Sequence, residues 1–250
     1  FPWSDMDQTV LREDMVDGLR HESRGVLSSD PVAAAMTAVP RHAFFEDDRA
    51  AYADRETERI GTRVLAPSTV VRLFEALAPE PGDSVLIVGA GIGYTAALAA
   101  EIVGANAVQA VDITRRVVYE ARENLERAGY DAAYVDCRDG ADGLPEYAPY
   151  DRILLEAAAV NPPRALLEQL APDGRLVMPL GAREQTLAVI EDDDVVEQHG
   201  SVAFRPLLVA GEEIGAVERN RTRREDRERA HRAAQSRAGW EQDWIDWDGY

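Results

Sequence analysis

Val85-Leu86-Ile87-Val88-Gly89-Ala90-Gly91-Ile92-Gly93-Tyr94 reads as an apolar strand running into a glycine-rich turn, and Asp112 stands at the end of the next apolar run. A strand, a GxGxG turn, a small-residue helix and a second strand ending in an acid together form one nucleotide-binding unit. The glycines let the backbone approach a ligand closely, and the following helix presents unpaired N–H groups. An acid about twenty residues further on can accept hydrogen bonds from ribose hydroxyls. The competing reading is a tight strand-to-helix corner that binds nothing, which the surrounding βαβ pattern disfavours.

The dinucleotide fingerprint is GxGxxG, and here the third glycine, Gly93, comes one residue early. That spacing favours S-adenosylmethionine (SAM) over NAD as the bound nucleoside. From Asp83 onward the chain alternates short apolar runs with helical segments, which predicts an α/β fold: a mainly parallel, Rossmann-like sheet with helices on both faces. The strands fall at 84–88, 107–111, 132–135, 152–156 and 175–179, joined by helices at 94–103, 115–128 and 163–170. A β hairpin follows, with strands at 186–190 and 202–209 around the acidic turn Glu191-Asp192-Asp193-Asp194. Five parallel strands closed by an antiparallel hairpin is the outline of the class I SAM-dependent methyltransferase sheet.

Upstream, an amphipathic helix is expected from Gln8 to Leu27, with Val10, Met15, Val16 and Leu19 forming its apolar stripe. A second helix begins at Asp30-Pro31, with Asp30 as cap, and runs to Val39. A loop then passes Tyr52 and Asp54 to Pro67, and Ser68 caps a helix carrying Val71, Phe74 and Leu77. Met6 reads as a native start, with Phe1–Asp5 an appendage. Beyond Gly211 the composition changes: eight Arg lie between Arg219 and Arg237, interleaved with acids, followed by Trp240, Trp244 and Trp247 at helical spacing. A solvated, salt-bridged helix is the plainer reading of that segment, and a partner-binding arm is the other. The resulting division is an N-terminal helical cap with an acceptor-site loop at 6–80, a SAM-binding Rossmann-like domain with its hairpin at 81–211, and a charged helical extension at 212–250.

The 250 residues carry 46 acids against 27 bases, a net charge of −19, and every base is Arg. Such a surface repels phosphates, which disfavours nucleic acid as a partner. It is similar to the surfaces of halophilic cytoplasmic proteins, where salt screens the self-repulsion of a highly charged chain. A single cysteine, Cys137, excludes an intrachain disulfide framework and a cysteine-cluster metal site. No run of eighteen apolar residues or secretory leader is visible, so the expectation is a cytoplasmic protein without a membrane partner.

Separated segments in fixed order carry a more specific signal. Val39-Pro40-Arg41-His42-Ala43-Phe44, Ala51-Tyr52-Ala53-Asp54, Ala148-Pro149-Tyr150-Asp151, Ala157-Ala158-Ala159, Leu167-Glu168-Gln169-Leu170 and Gly174-Arg175-Leu176-Val177-Met178-Pro179 with Gly181 resemble, over roughly Val39 to Pro206, the protein-L-isoaspartate O-methyltransferase family. The resemblance implies SAM-dependent transfer of a methyl group to a side-chain carboxylate of a protein or peptide acceptor, in protein repair or on a diverged acceptor. It further implies that Gly89, Ala90, Gly91 and Gly93 line the methionine and ribose region, that Asp112, with Ile113 beside it, holds the ribose diol, and that Asp139-Gly140 sits by the adenine. The chain departs from the family's pattern at four places. Ile87 replaces a strand-end acid, Ile92 a turn serine, Leu65 the serine of a QTISxP loop, and Glu156 the threonine of VTAAA.

For Asp112 and Asp139, capping roles at a helix and a turn stay open beside binding. Arg63, Leu65 and Glu156 are the candidate catalytic residues: Arg63 to orient the acceptor's charge, Glu156 to shape the pocket, Leu65 in place of the loop hydroxyl. His42 reads as a hydrogen-bonding residue beside Phe44 rather than a base. A rival from another class is a catalytically silent SAM-binding protein that recruits a partner through its C-terminal segment.

Overall fold

The computed structural model describes residues 5–21, 25–46 and 48–208, all within one compact unit that ends at Ala210. The expected charged helix and Trp-containing segment of 212–250 lie outside the described residues.

Five strands are parallel: β3 (Val85–Val88), β4 (Val108–Asp112), β5 (Tyr134–Cys137), β6 (Tyr150–Leu155) and β7 (Leu170–Leu180). They form a seven-stranded sheet with β8 (Gln185–Glu191) and β9 (Asp194–Val202), in the order β5-β4-β3-β6-β7-β8-β9, and the last two are antiparallel. The class I methyltransferase sheet expected from the sequence is therefore present. Strand β3 is buried on both faces because its side chains alternate between two apolar layers. Val85 and Ile87 join a cluster that includes Val71 and Phe74 of α4 (Pro67–Leu77), Leu98 of α5 (Tyr94–Val103) and Val118 of α6 (Arg115–Ala128). Leu86 and Val88 face Leu144, Tyr150 and Leu166, the last on the short α7 (Arg164–Leu167). Each fully buried aliphatic side chain of this kind contributes about 1.5–3 kcal/mol.

The N-terminal elements cover the first layer. Helix α1 (Asp5–Arg20) buries Met15, Val16 and Leu19, and α2 (Asp30–Ala38) buries Val32, Ala33, Ala35 and Met36. Helix α1 ends short of the expected Leu27. Ser29, not Asp30, caps α2, with its Oγ accepting from Val32 N at 3.4 Å. A 3-10 turn at Arg41–Phe44 and α3 (Asp48–Ala51) lead to a two-stranded antiparallel hairpin, β1 (Thr57–Arg59) and β2 (Thr62–Val64), within the region expected to be loop. Ile60 and Gly61 turn it with positive φ angles, 48° and 81°. Ser68 does not cap α4; its N–H instead donates to the side chain of Asp54 at 2.9 Å, so the cap is supplied from fourteen residues upstream.

Two boundaries near the C-terminal edge also differ. The predicted helix 163–170 is a single turn, and its last residue, Leu170, begins β7. The hairpin exists, but its second strand is β9, reached through Asp192 and Asp193 at φ 50° and 67°. Of the run 202–209 expected to be that strand, Val202 ends β9, and residues 205–207 lie along Ala158: Arg205 O accepts from Ala158 N, and Leu207 N donates to Ala158 O, at 2.8 and 2.9 Å. Phe204 is buried. Among the described residues no helix is long and apolar enough to cross a membrane.

Candidate active site

The carboxyl ends of β3, β4, β5 and β6 share one edge of the sheet, the place where ligands settle in parallel α/β proteins. After β3 the chain folds back, with Gly89 and Ala90 N–H donating to Val111 O at 2.8 and 2.9 Å. Gly93 ends the turn at φ 89° and starts α5. A Cβ there would stand 3.1 Å from Ala121 O and 3.3 Å from Leu125 Cγ, so the third glycine serves the close approach of α6. The buried Asn124 pins the turn from that helix through an Nδ2 bond to Ile92 O at 2.9 Å. No pattern in the sequence marks Asn124, because its role depends on the packing of two helices.

Asp112 faces this turn. Its Oδ2 accepts from Gly91 N at 3.2 Å and its Oδ1 from Thr114 N at 2.9 Å. Burial raises its pKa, while those two N–H donors pull it back. One carboxylate thus joins the glycine turn to the start of α6. Ile113 is half-buried beside it, with its carbonyl 3.7 Å from Cys137 Sγ. Asp139, after β5, accepts from Ala141 N at 2.9 Å and caps a 3-10 turn at Gly140–Asp142. Gly140 packs against the end of β3, where a Cβ would lie 2.4 Å from Val88 Cγ1.

On the β6 side, Arg63, Leu65 and Glu156 line one small cavity together with Ala90, Gly91, Ile92, Val70, Arg41, Tyr94 and Thr95. The three candidate catalytic residues and part of the glycine turn are thereby brought together. Glu156 extends the β6–β3 ladder through its N–H to Val88 O at 2.8 Å, and its Cβ is 3.4 Å from where a side chain on Gly89 would begin. Its carboxyl receives the Thr95 hydroxyl, yet Oε1 is enclosed without a partner. Burial pushes its pKa up to about 8; Thr95 opposes the shift, and the negative charge of Asp112 adds to it.

Arg63 spends most of its guanidinium locally. Its Nε donates to Glu56 Oε2 at 2.9 Å, Nη2 pairs with Glu56 Oε1, Nη1 meets Ala203 O, and the group lies 5.8 Å from the centre of the Phe204 ring. Leu65 is buried, and its carbonyl accepts from Arg41 Nη2 at 2.7 Å. Asp139, Gly140 and Ile113 do not line this cavity; they lie at the ends of β4 and β5.

Arg41 and Thr95 are polar cavity residues that sequence reasoning did not assign to the site. Arg41 is the more deeply held of the two. It is 1% exposed, donates from Nε to Ala51 O at 2.7 Å, and stacks 4.3 Å from the Tyr94 ring centre. Burial lowers its pKa, against Tyr94, Tyr52 and Asp54. Its guanidinium and the Tyr94 hydroxyl meet one another, whereas Glu156 Oε1 is buried in the same cavity without a partner. An unmet polar atom of that kind costs about 1–3 kcal/mol until something meets it. His42 bonds through Nδ1 to Tyr52 Oη at 2.7 Å, as its hydrogen-bonding reading expected.

Comparison with known proteins adds a second line. The family described as "Protein-L-isoaspartate(D-aspartate) O-methyltransferase (PCMT)" matches residues 11–212. A protein-L-isoaspartate O-methyltransferase from Aeropyrum pernix is 44% identical over 204 residues, covering 78% of each chain. One from Methanopyrus kandleri is 42% identical over 212 residues, covering 81% of this chain and 92% of that one. Among solved structures, a Plasmodium falciparum protein-L-isoaspartate O-methyltransferase in complex with S-adenosyl-L-homocysteine superposes with a TM-score of 0.70 at 20% identity, over 79% of this chain and 98% of that chain.

Proposed function

Because the chain belongs to the protein-L-isoaspartate O-methyltransferase family, we propose that it transfers the methyl group of SAM to the side-chain carboxylate of an isoaspartyl residue in a protein or peptide. The observation that supports this reading most directly is the continuity of the glycine turn with the loop cavity. Ala90 and Gly91 line the same space as Arg63, Leu65 and Glu156, so a donor held over the turn presents its methyl group to an acceptor entering past β2.

The residues present fit the donor. The turn supplies close backbone, Asp112 offers an acid to the ribose hydroxyls, and Glu156 carries an unpartnered buried oxygen in the cavity beside the turn. When bound, SAM supplies an electrophilic methyl carbon on a positively charged sulfur. An ionised carboxylate is already a nucleophile, so the chain's main contribution is positioning. Gly89, Ala90, Gly91 and Gly93 fix the donor's methionine and ribose region, Asp112 and Ile113 its sugar, and Asp139 with Gly140 its adenine. Leu65 and Ile92 keep water from the transfer path. Arg63 lines the path of the incoming carboxylate, and to orient that charge it exchanges part of its pairing with Glu56 for the acceptor.

In our reading, residues 6–80 cap the acceptor site, 81–211 hold the donor, and 212–250 form a charged extension that recruits a protein partner. The setting is a cytoplasm of high salt, where methylation starts the repair of isoaspartyl damage. The test is transfer of radiolabelled methyl from SAM to an isoaspartyl peptide in molar potassium chloride. Label released by base as methanol is the expected result. A peptide that stays unlabelled, while SAM binds, would overturn the acceptor assignment.

A further inference from the structure

We propose that Glu156 is the counter-ion of the donor's sulfonium and so sets the preference of the site for SAM over its demethylated product, an inference that rests on the methyl-donor reading above. The carboxyl sits at the edge where β6 meets the glycine turn, fixed by the Glu156 N–H to Val88 O bond and the 3.4 Å approach to Gly89. Its Oε1 is enclosed and unpartnered.

The groups facing it do not neutralise it. From β4 comes Asp112, of like charge, and from α5 come the Thr95 hydroxyl and the Tyr94 ring. Arg63 of β2 lines the same cavity but is paired with Glu56 and with Ala203 O. Arg41 donates to Ala51 O and Leu65 O. Neither guanidinium figures among the influences on Glu156, whose pKa is raised to about 8 by burial first and Asp112 last. A buried carboxyl in that setting holds a proton until a cation arrives.

The reaction removes that cation. Transfer of the methyl carbon to a carboxylate oxygen makes a C–O bond and breaks the C–S bond. The electron pair stays on sulfur, and the product is a neutral thioether. The methionyl ammonium is common to both compounds, which differ in the methyl group and the sulfonium charge; only the charge makes their affinity ratio depend on the protonation of Glu156. Glu156 then regains its proton from solvent, and the product loses the charge pairing that held the donor. The same pairing keeps Glu156 from repelling an anionic acceptor while the donor is bound.

Calorimetry on the full chain in molar potassium chloride tests this, with SAM and S-adenosylhomocysteine titrated between pH 5.5 and 7 in buffers of different ionisation heat. SAM should displace close to one proton and the product none. The SAM-to-product affinity ratio should therefore rise roughly tenfold per pH unit. In Glu156→Gln that ratio should be flat with pH, with product affinity within about twofold of wild type. Equal proton counts for the two compounds in the wild-type chain would overturn the inference even if the variant failed to fold. So would a pH slope that survives in Glu156→Gln. Absence of heat with either compound would overturn the methyl-donor reading itself, a distinguishable result.

Discussion

Gly140 offers a sharp test of whether a glycine at the sheet edge serves packing or ligand approach. A Cβ added there would stand 2.4 Å from Val88 Cγ1 and 3.9 Å from Val88 Cβ, so the conflict is with one methyl group. Val88 is buried at the end of β3 and cannot move without disturbing the turn that follows it. Gly140→Ala should cost about 1–3 kcal/mol, the range for overpacking a close-packed interior. Val88→Ala deletes two methyl groups and should cost about 2–3 kcal/mol, from lost burial at ~0.8 kcal/mol per carbon plus the residual cavity. In the double variant the new methyl occupies the vacated space, so its cost should fall below the sum of the singles by about 1–2 kcal/mol, far outside the additivity expected of independent sites. Urea denaturation at constant high salt measures the stabilities, and calorimetry with SAM follows the site in parallel. Additivity within about 0.5 kcal/mol would refute the packing account. SAM binding lost in Gly140→Ala and not restored in the double variant would assign the glycine to the ligand instead.

Three further outcomes follow from the same geometry. Asp54→Ala removes the cap on α4 and should cost about 1 kcal/mol in thermal unfolding, with Asp54→Asn recovering most of it; no loss would refute the capping role. Arg41→Met leaves the Ala51 and Leu65 carbonyls unpaired and should cost about 2–4 kcal/mol by urea denaturation, although it removes a buried charge; a neutral result would mean that those bonds stabilise nothing. Glu156 has a folded pKa near 8, above the carboxylate reference of 4.5, so the native state binds the extra proton between those values. Stability of the ligand-free chain should therefore fall as pH rises from about 5 to 8, by as much as about 4 kcal/mol. Glu156→Gln should flatten that slope in denaturant titrations at fixed salt, and an unchanged slope would refute the assignment.

The sheet was legible where burial on both faces forces an apolar run, unbroken in Val85–Val88 and broken only by the buried Gln109 in Val108–Val111. Strand β9 was not, because all but its last residue are exposed and an edge strand of polar residues has no alternating signature. The three-residue strands β1 and β2 carry too little pattern to separate from a loop, and their turn depends on Ile60 at positive φ, an unusual place for a branched residue. Capping residues were misplaced for a different reason: Ser29 and Asp30 are adjacent acceptors, and only geometry chooses between them. At the candidate site, Asp112 stood out as an acid closing the apolar run of β4, and Glu156 as a carboxylate where the resembled family has a threonine. The pairing of Arg63 with Glu56 and the burial of Arg41 did not, since both depend on the chain doubling back on itself.

The bond from Asp54 to Ser68 closes the intervening chain into a ring anchored on α4. Within it, Leu65 is tethered through its carbonyl to Arg41, while the tip at Ile60-Gly61 lies at the far end of a two-stranded arm. On the proposed function, residues exchanged at that tip alter what an incoming polypeptide first encounters. The tip is itself held, through Gly61 O, by Arg205 Nη1 at 2.9 Å, so a change there is felt along the 204–207 segment that pairs with Ala158, just beyond the end of β6.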